Sequence, residues 1–168
     1  MDILLVDGYN MIGAWPELRD LKKKDLAAAR DRLIELMAEY QAYMGIRVII
    51  VFDAYVVKGL ERKYKNYKLE VIFTKENETA DEKIEKMAIH LTNRKTKVFV
   101  ATSDYTEQWA IFGQGAFRKS ARELYNEIQE IGKNINKNMQ YIQEKKPLSK
   151  IPLSKEVADF FEKFRRGE

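Results

Sequence analysis

The sequence predicts an α/β fold organised on a central, mainly parallel sheet of four to five strands. Three observations carry this expectation. Four short, nearly continuous apolar runs occur at residues 3–6, 48–52, 69–73 and 98–101, as expected of strands buried on both faces. Amphipathic helical patterns separate them, which is the alternation that a parallel sheet requires. The chain of 168 residues, 45% apolar and 33% charged, is long enough for one real hydrophobic core and is ordinary in composition for a globular protein.

The first run, "ILLV" at 3–6, leads straight into Asp7, Gly8, Tyr9 and Asn10. Residues 25–44 place Leu26, Leu33, Met37, Tyr40 and Met44 along one helical stripe, and Gly45 supplies a stop. The second run ends at Phe52 and is followed by Asp53. Segment 55–68 is too short and too charged to assign. After the third run, residues 80–92 set Ile84, Met87, Ala88 and Leu91 at helical steps. The fourth run leads through "ATSD" to Asp104, and a helix over 120–131 turns Leu124, Ile128 and Ile131 inward. Beyond residue 132 the chain becomes polar and basic, and "PLSK" occurs twice. The prolines oppose a packed helix there, "MQYIQ" at 139–143 is a candidate fifth, edge strand, and residues 155–166 form a short amphipathic helix expected to dock on the same domain. The organisation is therefore a main domain over 1–132 and a basic extension over 133–168.

Composition excludes several kinds of chemistry. The sequence has no cysteine, so disulfides, thiolate catalysis and cysteine zinc sites are ruled out. No apolar run approaches the roughly 20 residues that span a bilayer, and "MDILLVDGYN" lacks the basic start of a signal peptide. A cytoplasmic protein without a membrane role is expected. Net charge is +4, and its distribution is uneven. Residues 55–70 hold five Lys or Arg against two Glu, interleaving Tyr55, Tyr64 and Tyr67 with Lys58, Arg62, Lys63, Lys65 and Lys68. Cations neutralise phosphates and aromatic rings stack on unpaired bases, so such a segment suits single-stranded nucleic acid. A plain solvated face has the same composition.

The main chemical signal is the acid that follows each strand. Asp7, Asp53 and Asp104 follow the first, second and fourth, and the third leads into a helix whose first turn carries Asp81 and Glu82. In a parallel sheet all carboxyl ends lie along the edge where ligands bind. Carboxylates gathered there repel one another unless a cation neutralises them. Oxygen ligands without His or Cys suit Mg²⁺ or Mn²⁺, and the matching chemistry is metal-assisted attack of water at phosphorus. Each acid also has a structural reading: Thr79 with Glu82 has capping-box spacing, Asp104 with Glu107 has the same, and Asp7 and Asp53 can open turns. Gly8 is expected to be small so that the chain turns close to metal and substrate. His90, late in its helix, reads as a surface side chain.

"LLVDGYNMIG", "VIIVFDAY", "ETADEKIEKMA" and "VFVATSDYTEQWAIFGQGAFRKSARELYNEI" occur in this order between residue 2 and about 131. Together they resemble a YacP-type NYN domain of the PIN-like nuclease superfamily. The resemblance implies a Rossmann-like three-layer sandwich and a Mg²⁺- or Mn²⁺-dependent endoribonuclease that cleaves mRNA in association with the ribosome, by metal-activated attack of water on a phosphodiester. It matches the acids to Asp7, Asp53, Asp81 and Asp104, with Asn10 and Glu82 as polar neighbours. Asp7, Asp81 and Asp104 would hold the metal, and Asp53 would support them or add a further ligand. Ser103, Lys58, Arg62, Lys63, Lys65, Arg118 and Lys119 would contact RNA. Two other classes stay open: a catalytically degenerate RNA- or ribosome-binding module, and another Mg²⁺-dependent phosphoryl-transfer enzyme.

Overall fold

The structure is a computed structural model that describes residues 1–54, 69–104 and 115–145. By its contacts the chain divides into two units, Met1–Ile131 and Gly132–Glu168, and the sheet belongs to the first. Five strands, β1 (Ile3–Asp7), β2 (Arg47–Phe52), β3 (Glu70–Phe73), β4 (Val98–Thr102) and β5 (Phe117–Ser120), form one sheet in the order β3-β2-β1-β4-β5. Every pairing is parallel. β1 is central, with Asp7 in register with Val51 of β2, and Val6 with Ala101 of β4. The order runs outward from β1 to β3 on one side, then restarts at β4 on the other. The junction between β1 and β4 is therefore a topological switch point, where α/β proteins place their ligands beyond the carboxyl ends of the strands.

Among the described residues five helices accompany the sheet: α1 (Gly8–Ala14), α2 (Pro16–Lys24), α3 (Leu26–Met44), α4 (Ala80–Leu91) and α5 (Ala121–Lys145). Side chains alternate along a strand, so Ile3 and Leu5 of β1 share one face with Ile49, Val51, Val98 and Val100. That face packs on Ala80, Ile84 and Ala88 of α4. The first turns of the chain, α1 and α3, pack beside β1 and β2, and contribute the buried Met11, Ile12, Leu33, Ile34 and Met37.

Local chemistry sets the helix ends. Trp15 is extended (φ −86°, ψ 129°) between α1 and α2, as a residue before proline must be; Pro16 then opens α2 at the position where its missing N–H costs nothing. Asp25 Oδ1 accepts from Ala27 N–H at 3.0 Å to cap α3, and Gly45 closes that helix in the left-handed conformation at φ 66°. Ser120 Oγ accepts from Glu123 N–H at 3.1 Å at the start of α5.

The expected strands and the helices over 25–44 and 80–92 are present. Two expectations are corrected. Residues 139–143 are not an edge strand but lie inside α5, which continues from 121 to Lys145; the fifth strand is Phe117–Ser120. The basic segment 55–68, the PLSK repeats and the helix expected over 155–166 lie outside the described residues. Among the described residues no helix is long and apolar enough to cross a membrane.

Candidate active site

Asp7 is the last residue of β1, and the alternation that turns Ile3 and Leu5 towards α4 turns Asp7 the same way. Thr79 fixes where α4 starts, its Oγ1 accepting from Glu82 N–H at 3.2 Å, which sets Asp81 in the first turn. The Asp7 and Asp81 carboxyls consequently meet. Asp7 is only 4% exposed. Burial, followed by the hydrogen bond and the like charge of Asp81, pushes its carboxyl up to about 7 against the lowering effect of Asn10.

Asn10 binds Asp7 twice, through its backbone N–H to Oδ1 at 3.4 Å and through Nδ2 to Oδ2 at 2.8 Å. The other end of the amide accepts from Ser103 Oγ, just past β4. A carboxamide can donate at one end and accept at the other without adding charge, so Asn10 joins the exits of β1 and β4 across the switch point. One residue earlier, the Tyr9 ring lies 5.1 Å from that of Phe52, and Tyr9 Oη accepts from Arg30 Nη1 at 3.2 Å. Arg30 is 2% exposed, and its Nε has no partner among the described residues. This buried cation on α3 has no motif to announce it in sequence. A cleft of about 340 Å³ opens here, lined by Tyr9, Asn10, Gly13, Ala14 and Ser103.

Gly8 is small for a different reason from the one expected. A Cβ there would collide with the Phe52 ring; the close approach is to a core aromatic side chain.

The remaining predicted residues are more dispersed. Asp104 follows β4, and its N–H donates to the buried Thr102 Oγ1 at 3.1 Å. Asp53 is tied towards β3, where Thr74 Oγ1 donates to its Oδ1 at 3.3 Å. Glu82 is exposed, as is His90. Among the described residues no three acids gather closely enough to hold one ion. Arg118 is exposed on β5. Lys119 departs from its expected role in binding phosphate: its Nζ donates to both Glu127 carboxylate oxygens, at 2.7 and 2.9 Å, and to Tyr40 Oη at 3.3 Å. Tyr40 in turn donates to Glu127 at 2.6 Å, and burial followed by Glu127 raises its hydroxyl well above the usual phenol range. Lys58, Arg62, Lys63 and Lys65 lie outside the described residues.

Residues 4–166 match the family model for the YacP-like NYN domain. The chain belongs to the YacP-like NYN domain family. It is 64% identical, over all of its length and 99% of the relative's, to the uncharacterized protein YacP of Bacillus subtilis (strain 168). It is also similar to the crystal structure of Rae1 (YacP) from Bacillus subtilis, at 65% identity and a TM-score of 0.78, covering 99% of this chain and 96% of the other. A crystal structure of a mutant of that Bacillus subtilis protein matches at 60% identity and a TM-score of 0.76, with the same shares covered. The shared motifs quoted above end near residue 131, yet the family model continues to 166, so the basic extension is part of the family's pattern. NYN domains fall in the PIN-like nuclease family, whose members are typically nucleases that use divalent metals. The donor set of this NYN domain fits such an ion: Asp7 and Asp81 offer only oxygen, they touch, and Asp7 is desolvated, a combination that a hard cation relieves.

Proposed function

We propose that this protein is a metal-dependent endoribonuclease that cleaves mRNA in the cytoplasm, with the ribosome as its working partner. The observation that carries the catalytic part is the Asp7–Asp81 contact at the β1/β4 switch point, held from the other side by the Asn10–Ser103 link. The ribosomal partner rests on the family resemblance.

In this reading Asp7 and Asp81 would hold Mg²⁺ or Mn²⁺, and Asp104, Asp53 and Glu82 would supply outlying negative charge. A divalent ion so bound would polarise a phosphoryl oxygen as a Lewis acid and lower the pKa of the attacking water. Asn10 is a positioning residue: its Nδ2 fixes the Asp7 carboxylate, and its Oδ1 fixes Ser103 beside the cleft. The water oxygen bonds to phosphorus while one P–O ester bond breaks, so the phosphate remains on one RNA fragment. Arg118 and the cations Lys58, Arg62, Lys63 and Lys65 neutralise flanking phosphates.

The test is cleavage of an mRNA with Mg²⁺ or Mn²⁺, with and without translating ribosomes, comparing the wild type with Asp7→Asn. Cleavage by the wild type alone is expected. Equal cleavage by Asp7→Asn, Asp81→Asn and Asp104→Asn would refute the mechanism.

A further inference from the structure

Next to the Asn10–Ser103 link, a second hollow of about 550 Å³ opens between the start of α2 and the start of α5, sharing Ala14 and Ser103 with the cleft. Its volume is that of cavities which hold small ligands. Trp15 makes the floor: it is 2% exposed, and its indole N–H donates to the Ala121 carbonyl at 2.8 Å. The half-buried Tyr125 ring stands 5.9 Å from the indole. Arg118, Arg122 and Asn126 border the opening. Arg122 is exposed and makes no hydrogen bond or ion pair among the described residues.

The lining combines a fixed aromatic wall, guanidinium donors and a carboxamide. Aromatic rings stack on any unpaired base, guanidinium groups match phosphate and the acceptor edges of bases, and carboxamides read base edges. The cations favour a polyanion over an apolar ligand, and continuity through Ser103 ties the occupant to whatever sits at the acids. We infer that this hollow receives one unpaired nucleotide of the RNA, next to the scissile phosphate, with its base against Tyr125 and a phosphate against Arg122. The inference rests on the endoribonuclease reading and adds a substrate class to it. A base paired in a duplex cannot enter such a pocket without leaving its stack, so the enzyme selects single-stranded positions.

The test uses the full-length Asp7→Asn protein, which keeps the RNA intact, and a short single-stranded RNA together with versions carrying one abasic nucleotide at each position in turn. Tyr125→Ala and Arg122→Ala should each weaken binding roughly ten-fold, a value in the lower part of the range for the loss of one base stack. Tyr125→Phe should stay close to the parent. One abasic position should weaken binding by a similar factor and add nothing further in the Tyr125→Ala background. Arg122 is exposed, so its variant carries the test even if Tyr125→Ala fails to fold. Undiminished RNA affinity in Arg122→Ala, and in Tyr125→Ala where it folds, with no abasic position sensitive, overturns the pocket and leaves the nuclease reading standing. The nuclease reading fails separately if the wild type binds RNA through the pocket yet cleaves no mRNA with or without ribosomes.

Discussion

At the scale of single residues, Asp7 carries two opposing demands. Its carboxylate is what a cation would bind, but burial and Asp81 make the charged form expensive in the folded protein. The folded value of about 7 stands above the ordinary value of 3.8. Stability from this group is thus fully present below about pH 4 and is lost as pH rises through about 7. Asp7→Asn should abolish that dependence. Urea unfolding at about pH 5 and about pH 8 should show the wild type losing stability relative to Asp7→Asn across the interval, by an amount on the order of 1–3 kcal/mol. The same substitution should lower RNA cleavage by orders of magnitude. Gly8 gives a second prediction of this kind. Gly8→Ala pushes on Phe52, a fully buried ring, and should cost about 1–3 kcal/mol in the same experiment.

At the scale of elements, legibility in the sequence follows burial. The central strands are plain because both faces are covered, so each is an unbroken apolar run ending in an acid. β5 is hidden because it is an edge strand reading "FRKS", with two cations in four residues. "MQYIQ" shows the reverse error. Ile128, Ile131, Ile135, Met139 and Ile142 recur at helical steps through α5, but a five-residue window is too short to show that period, and Gly132 reads as a helix stop. The short α1 and α2 offer too few apolar positions for a period to show; only the Trp15-Pro16 break marks their boundary. Asp7, Asp81 and Asn10 are recognisable as strand-exit and helix-start polar residues. Arg30 and Tyr125 are not, because their roles depend on which elements pack together. Lys119 reads as a phosphate ligand until β5 and α5 bring it to Glu127. Lys119→Ala should therefore destabilise the fold by about 1–3 kcal/mol, while the salt dependence of RNA affinity stays unchanged, as a titration of RNA binding against ionic strength will show.

At the scale of the whole molecule, charge is distributed to oppose itself. Asp7 and Asp81 meet at the exit of the central strand, while the protein as a whole is positive by four charges. On the proposed function, such an arrangement attracts RNA broadly and repels it at the one place where a cation would come between. Added Mg²⁺ or Mn²⁺ should raise the melting temperature of the wild type by binding the native state alone. It should raise that of Asp7→Asn or Asp81→Asn much less, and a chelator should reverse the gain and stop cleavage. Replacing Lys58, Arg62, Lys63 and Lys65 together should reduce the salt slope of RNA binding by about 0.7 for each phosphate that is no longer neutralised; an unchanged slope removes them from the interface.

The bond from Ser103 to Asn10 spans 93 residues of chain. Asp7 and Asn10 are made well before Ser103, so the link between them forms only once β4 has been added beside β1. Until then the Asp7–Asn10 pair lacks its support from the β4 side. On the proposed function, cleavage would therefore have to wait until β4 takes its place beside β1.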